Sequence, residues 1–442
     1  MLTEIKKAMA LKDILKVTKM KALSCENKEF YEDATEARTG DQYSNPREYL
    51  LAELKQSADY NHTLFMGHLS SGKSTELNLF MEDARDDGFF VCKGSVDEEL
   101  DILSATYVDI LFLILKQLIA EAKEREICFN DKLLNNLRQY WETITEKSSA
   151  DATSATLGVE AGAGISTPGL LGTVLDLFAR VQSTLNTGVE TRTEMRRKIE
   201  PDINIFVDQI NDCIHEIMTK AQKAGDVTQR IPIIVIDDTE KMIDPVARDL
   251  FYTHGNVFKG IRAHLVFAFP IQLSYSPDFA SIQNTFSQPF KLPMIKTHHR
   301  NGLPCDEGIK AIKKIIYKRI DERLFEEGVC CYVIEKTGGY LRDVFGAIGN
   351  ACIRAQLRNS KTISIEDVQI VLNRMKASYS GTLSEDMLKK AQEIAKGDYE
   401  PITNPALMDL LRSVLVLEYN GERWCDLHPL LKEYLVDTNR IS

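Results

Sequence analysis

The chain has 442 residues, 44% of them hydrophobic and 27% charged, and a formal net charge of -11. Length and composition fit a globular protein of roughly two to four domains and exclude a disordered or fibrous chain. The acidic balance excludes polyanion binding over the whole surface, while leaving room for a local basic patch.

In chain order, residues 1–23 (MLTEIKKAMALKDILKVTKMKAL) mix Glu4, Asp13 and six lysines and hold no apolar run of signal-peptide length. Residues 1–45 therefore read as an N-terminal helical segment, solvated or docked. A P-loop core is expected over 46–296. It opens with an amphipathic helix, PREYLLAELKQSADY (46–60), leading into a short buried strand at 63–66. The next eight residues, GHLSSGKS (67–74), match G-x-x-x-x-G-K-[ST] at every fixed position. Leu77, Leu79, Phe80 and Met81 follow at spacing a helix can use, which gives the order strand, loop, helix. FFVCKGSV (89–96) reads as a second strand and 105–124 as a mostly buried helix. From about 125 to 229 the alternation stops: charged helical pieces, a Gly/Ala/Ser/Thr-rich stretch at 149–175 and a helix from about 187 to 223 read as an insertion. The uncharged run at 162–175 is too short and too rich in Gly and Pro to span a bilayer, so no membrane contact is expected.

The alternation resumes with a buried strand at 231–236 and two more at 264–273 and 290–295, which predicts a parallel α/β sheet with helices on both faces. A helical lid is expected over 297–376, where Ser364-x-x-Asp367 is a close relative of the capping box. Residues 377–442 give helices near 383–395 and 404–414, then a hairpin signal at Asn420-Gly421 and a last helix. Helix, hairpin, helix is the plan of a winged-helix domain. The nine cysteines show no C-x-x-C and no regular spacing, as expected for reduced thiols of a cytoplasmic protein.

The loop predicts chemistry. Backbone N–H groups of a glycine-rich turn cradle phosphates at the start of the following helix. Lys73 offers a charge to the β/γ-phosphates, and the Ser74 hydroxyl a ligand to Mg2+. A second half of the site comes from Asp237 and Asp238, at the C-terminal edge of a buried strand where open α/β sheets bind ligands. Asp237 is expected to hold Mg2+ through water, and Asp238 to act as general base. Glu240 is a rival base, expected on the exposed turn.

Together these motifs, the lid and the winged helix resemble P-loop ATPases of the AAA+/STAND group, and in particular bacterial ATPases with the extended loop GHLSSGKSTEL. The resemblance covers roughly 46–442 apart from the insertion. It implies that Gly67, Ser70, Ser71, Gly72, Lys73, Ser74 and Thr75 hold ATP or ADP with Mg2+. It implies that Arg342, in TGGYLRDVFGAIGNA, reaches the γ-phosphate. It further implies that His428, in WCDLHPLLKEYL, contacts the diphosphate of a closed state, although Pro429 replaces the family's acidic residue. No arginine lies in 263–290, where AAA+ rings carry a trans-acting one, and Gln272 is the remaining polar sensor candidate. Arg192, Arg196 and Arg197 on the insertion are candidates to act on a neighbour's nucleotide, against a solvated face. The function so implied is a slow, Mg2+-dependent regulatory switch ATPase in bacterial defence or signalling. Its output would come from a separate effector protein or a homo-oligomer. Rival readings are an AAA+ ATPase acting on DNA-bound proteins or nucleic acid, for which the Lys310, Lys314, Lys318 stripe speaks, and a nucleotide-gated scaffold without turnover.

Overall fold

The computed structural model describes residues 6–19, 21–151, 169–186, 189–223, 230–287, 289–398, 402–419 and 424–441. Its centre is a five-stranded parallel sheet of β1 (His62–Gly67), β2 (Val91–Ser95), β3 (Ile233–Asp237), β4 (His264–Pro270) and β5 (Phe290–Lys291), in the order β2-β3-β4-β1-β5. β1, β3 and β4 are buried at every residue, the pattern of strands covered on both faces. Parallel pairing brings their C-terminal ends to one edge: Ser95 lies beside Asp237, and Gly67 beside Pro270. β4 stops at Pro270, and β5 is cut to two residues ahead of Pro293. Both ends therefore fall short of the 264–273 and 290–295 runs expected, because proline offers no N–H to a ladder.

One face of the sheet carries the helices Pro46–Gln56 and Lys73–Asp86, whose Leu50, Leu54, Leu77 and Phe80 pack on Phe65 and Val235. The other face carries Tyr107–Glu124 and, against it, the helices Asp131–Asp151, Leu170–Asn186, Val189–Ile199 and Ile203–Lys223. Phe112, Trp141, Phe178 and Phe206 meet there edge to face. The inserted region thus shares the core of the sheet. The helix expected at 187–223 is two helices, separated by a 3-10 turn at Glu200–Asp202, where Pro201 removes a ladder donor. Residues 152–168, most of the Gly/Ala-rich stretch, lie outside the described residues.

The helices Asp306–Arg319, Val329–Lys336, Leu341–Leu357 and Ile365–Ser380 form the helical lid. Ser364 opens the last of them with the capping box its sequence predicts: the Ser364 hydroxyl accepts from Asp367 N–H, and the Asp367 carboxylate from Ser364 N–H. The N-terminal helix Leu11–Val17 is docked on this lid through Leu11, Ile14 and Val17. The winged helix follows: Glu385–Ala395, Pro405–Arg412, an antiparallel pair of β6 (Val416–Tyr419) and β7 (Trp424–Leu427), and Pro429–Asp437. The Asn420-Gly421 turn itself lies outside the described residues. All nine cysteines are free. Among the described residues no helix is long and apolar enough to cross a membrane.

Two lid glycines give a test with opposite signs. A Cβ on Gly308 would lie 1.6 Å from the Lys296 carbonyl oxygen, whereas one on Gly346 meets nothing within 4 Å. Gly308→Ala is expected to destabilise by about 3 kcal/mol through overpacking. Gly346→Ala is expected to stabilise by roughly 0.5–1 kcal/mol, since alanine is the better helix former. Denaturant titration of both variants checks the pair.

Candidate functional site

The loop between β1 and the helix Lys73–Asp86 turns at two places that glycine alone serves. At Gly67 a Cβ would sit 2.8 Å from the Leu292 carbonyl oxygen and 2.9 Å from Ser71 Oγ. Gly72 caps the helix at φ 106°, in the left-handed region. The turn folds Lys73 back under the loop. Its side chain is almost fully covered, and Nζ donates to the carbonyls of Gly67 (2.9 Å) and His68 (2.8 Å).

The third partner of Lys73 is Glu240, 3.2 Å away. Burial holds the Glu240 carboxyl above its usual range against the downward pull of Lys73, with Asp237 and Asp238 adding to the rise. Glu240 is buried rather than on the exposed turn expected. The reason is the backbone after β3: Asp238 adopts the left-handed conformation at φ 68°, and a 3-10 turn at Thr239–Lys241 swings Glu240 inward. Asp238 takes the position beside β2, where Ser95 Oγ donates to it at 2.6 Å and Lys241 Nζ lies 2.7 Å away. Glu240 thus turns inward like Asp238, which is also buried but held between Ser95 and Lys241.

Ser74 Oγ donates to Asp237 Oδ1 at 3.1 Å, so a helix residue and a strand end 163 positions apart meet as a divalent-cation pair would require. Asp237, Asp238 and Glu240 offer carboxylate oxygens within 4.8 Å of one another, a hard oxygen set that fits Mg2+. Sequence reasoning missed Lys93 of β2, whose Nζ lies 2.7 Å from Asp237 Oδ2 and donates to Asn78 at 3.0 Å. It missed Arg38 as well. This buried guanidinium of the N-terminal segment donates to the carbonyls of Ser71 (2.8 Å) and Pro293, and burial lowers its pKa. Neither has a local signal, since each partner is distant in sequence.

A cleft of about 280 Å³ opens over these groups, lined by Ser70, Gly72, Lys73, Ser74, Thr75 and Glu240 with Lys241, Lys21 and, from the lid, Arg342. Arg342 is exposed at the second position of the helix Leu341–Leu357. Thr75 also accepts a hydrogen bond from Leu23 N–H at 3.1 Å, which straps the N-terminal segment across the loop helix. Gly67 and Ser71 of the loop are buried and do not line the cleft. A larger cleft of about 470 Å³ lies elsewhere, between the 297–304 hairpin and the winged helix. It holds none of the groups just described.

Other expected residues are not on the cleft. Gln272 is buried and donates to Asp244 at 2.8 Å. Arg192 and Arg196 pair within the chain with Asp101 and Asp109, while Arg197 is exposed beside Glu194. His428 is fully buried as the N-cap of Pro429–Asp437, with Nδ1 accepting from Leu430 N–H at 3.3 Å. Its Nε2 lies 3.3 Å from Asp343 Oδ2, and its ring leans on Tyr379. Against the expected contact of His428 with a diphosphate, the structure buries the side chain beside Asp343 and Tyr379, and it does not line the cleft.

No model of a known protein family matches the chain, and no curated protein matches it. Solved structures similar to it include Cdc6p from Pyrobaculum aerophilum, at 12% identity and a TM-score of 0.38 over 95% of this chain and 98% of that one. The ORC2 protein of Aeropyrum pernix (ADPNP-ADP complexes) is 14% identical, with a TM-score of 0.37 over 94% of this chain and 97% of that one. The RuvB Holliday junction branch migration motor of Thermotoga maritima is 12% identical, with a TM-score of 0.34 over 90% and 94%. Likenesses this distant carry no argument about chemistry, which rests on the side chains.

His428→Ala is expected to act on the fold. It removes a helix cap and a buried partner of Asp343, together about 1–2 kcal/mol. The melting temperature without nucleotide should fall, and ADP affinity should stay within twofold. A large loss of ADP affinity in calorimetry at unchanged melting temperature would restore the diphosphate contact.

Proposed function

We propose that the chain is a Mg2+-dependent, ATP-binding regulatory ATPase of the AAA+/STAND kind, in which nucleotide governs how lid and winged helix sit on the core. One observation carries this reading: Lys73, Ser74 and Glu240, with Arg342 of the lid, line a single cleft beside Asp237. An ammonium, a hydroxyl–carboxylate pair, a buried carboxylate and an arginine are the parts that phosphoryl transfer to water needs. Ser74 and Asp237 would hold Mg2+, which supplies charge neutralisation to the phosphates when bound. Glu240 replaces Asp238 as the residue we assign to orient and deprotonate water. It faces the cleft, whereas Asp238 is held by Ser95 and Lys241. Arg342 would read the γ-phosphate from the lid, and so report nucleotide state to the winged helix behind it.

The output would pass to a separate effector protein or a second copy of the chain, in a bacterial defence or signalling setting. An ATPase acting on DNA or DNA-bound proteins is the rival. Against it, Lys314 and Lys318 of the basic stripe both pair with Glu32, at 3.0 and 2.9 Å, and so fasten the N-terminal segment. Duplex-DNA titration at two salt concentrations separates the two, since phosphate contacts give a steep salt slope.

Two variants test the site. Lys73→Ala should weaken ATP by at least about 2 kcal/mol, roughly thirtyfold in Kd, as read by titration calorimetry. Unchanged affinity would remove the site from consideration. Glu240→Gln should keep ATP binding and cut phosphate release by about a hundredfold or more, while Asp238→Asn should cost less than tenfold. The opposite ranking in a phosphate-release assay returns the base role to Asp238, and no release from the parent protein leaves a nucleotide-gated scaffold.

A further inference from the structure

Three of the four positions of the phosphate loop that the G-x-x-x-x-G-K-S pattern leaves free face the lid and winged helix. His68 is completely buried, and its Nε2 accepts the backbone N–H of Glu418 in β6 at 2.8 Å. Leu69 packs against the cluster of Met294, Tyr340, Leu417, Tyr419 and Trp424. Burial raises the pKa of Tyr340, and neighbouring Ser70 pulls the other way. The β6 side of the joint is equally committed. The Glu418 carboxylate accepts from Tyr275 at 2.7 Å and Lys291 at 2.9 Å, its carbonyl accepts from Met294 N–H at 3.2 Å, and Tyr419 OH donates to the Gly338 carbonyl.

We propose that His68 is a positioning residue that makes β6 of the winged helix part of the phosphate site, so that phosphate binding and winged-helix docking oppose each other. This rests on the nucleotide reading of the loop. The same residue carries both contacts: the His68 carbonyl holds the Lys73 ammonium, and the His68 ring holds β6. A phosphate competes for that ammonium and calls the loop N–H groups inward. In the proposed latch the peptide at 68 turns as its carbonyl gives up the ammonium, and the ring turns with it, away from Glu418 N–H. With Nε2 accepting from Glu418 N–H, the ring proton sits on Nδ1. Burial lowers the ring's pKa to about 3, with Lys73 and Lys291 pushing the same way, so the acceptor persists at neutral pH. The latch therefore answers to the ligand and not to physiological pH.

Hydrogen exchange of the full chain, with and without saturating MgADP, tests this. The amides of Val416–Tyr419 should exchange at least about fivefold faster with MgADP, the lower end of ordinary coupling between sites. His68→Leu keeps apolar bulk and removes the acceptor: its β6 should exchange fast in both states, within twofold of each other. By reciprocity that variant should bind MgADP tighter by the same factor as the lost coupling. His68→Gln, whose side-chain oxygen can accept from Glu418, should retain the nucleotide response, which a purely packing role for the ring would not restore. Unchanged or slower β6 exchange in the parent protein on MgADP binding overturns the latch whatever the variants do, and so does a response that survives in His68→Leu. If the parent binds no MgADP, the functional reading falls and the latch with it. If binding depends on Lys73 but β6 does not respond, the latch alone falls.

Discussion

A covered ammonium sets the terms for everything around it. Lys73 is only 2% exposed, and its charge is met by two carbonyls of its own loop and by Glu240. A buried charge left unpaired costs several kcal/mol, so the loop, the turn after β3 and the strap from the N-terminus have to be in place together. The arrangement also prepares the site for an anion. The carbonyls that hold the ammonium are neutral and can be exchanged for phosphate oxygens, which bind a cation more strongly than they do. Glu240 gives the ammonium a counter-charge in the absence of a ligand. Under the proposed function, a phosphate taking that place would leave the same carboxylate free to face water.

The C-terminal edge of the sheet is where three parts of the chain meet, and each is tied by a buried polar group. Arg38 ties the N-terminal segment to the loop at Ser71. Glu418, 1% exposed, ties the winged helix to the core through Tyr275 and Lys291. Asp343, which accepts from Tyr379 within the lid, lies 3.3 Å from His428 of the winged helix. Hydrogen bonds of this kind add little net stability when made but cost a full desolvation penalty when broken. They hold one arrangement against its neighbours, which is the property a two-state device requires.

The strands and the loop were legible because their signals are local: a run of apolar residues for β3, fixed spacing for Gly67 to Ser74, a capping box at Ser364. Asp237 beside Ser74 was legible too, since parallel strands end at one edge. The inward turn of Glu240 was not, because it depends on a left-handed residue at 238 that aspartate tolerates and sequence does not announce. Lys93, Arg38 and His68 were illegible for another reason. Their partners lie 144, 33 and 350 positions away, and each residue alone reads as an ordinary surface or loop side chain. His428 was placed at the phosphate by resemblance, while its burial against Asp343 follows from how the lid packs. The break at Pro201 was readable and went unread, since the apolar spacing on either side keeps helical phase.

Charge completes the argument about partners. A net charge of -11 would repel a polyanion at long range, and two lysines of the helical stripe that could oppose this, Lys314 and Lys318, pair within the chain. Lys318 donates to the Tyr31 carbonyl as well as pairing with Glu32, and Lys314 shares that carboxylate. Glu32, held below its usual carboxylate range by these two lysines, stays ionised, so the clasp persists at neutral pH. The segment it fastens runs on through Arg38 to the underside of the phosphate loop. A lysine stripe that looks like a binding face in the sequence is thus one end of the strap whose other end steadies Ser71. Lys314 and Lys318 of the lid thus act on the candidate cleft from a distance, by fixing the path of the chain that runs beneath its loop.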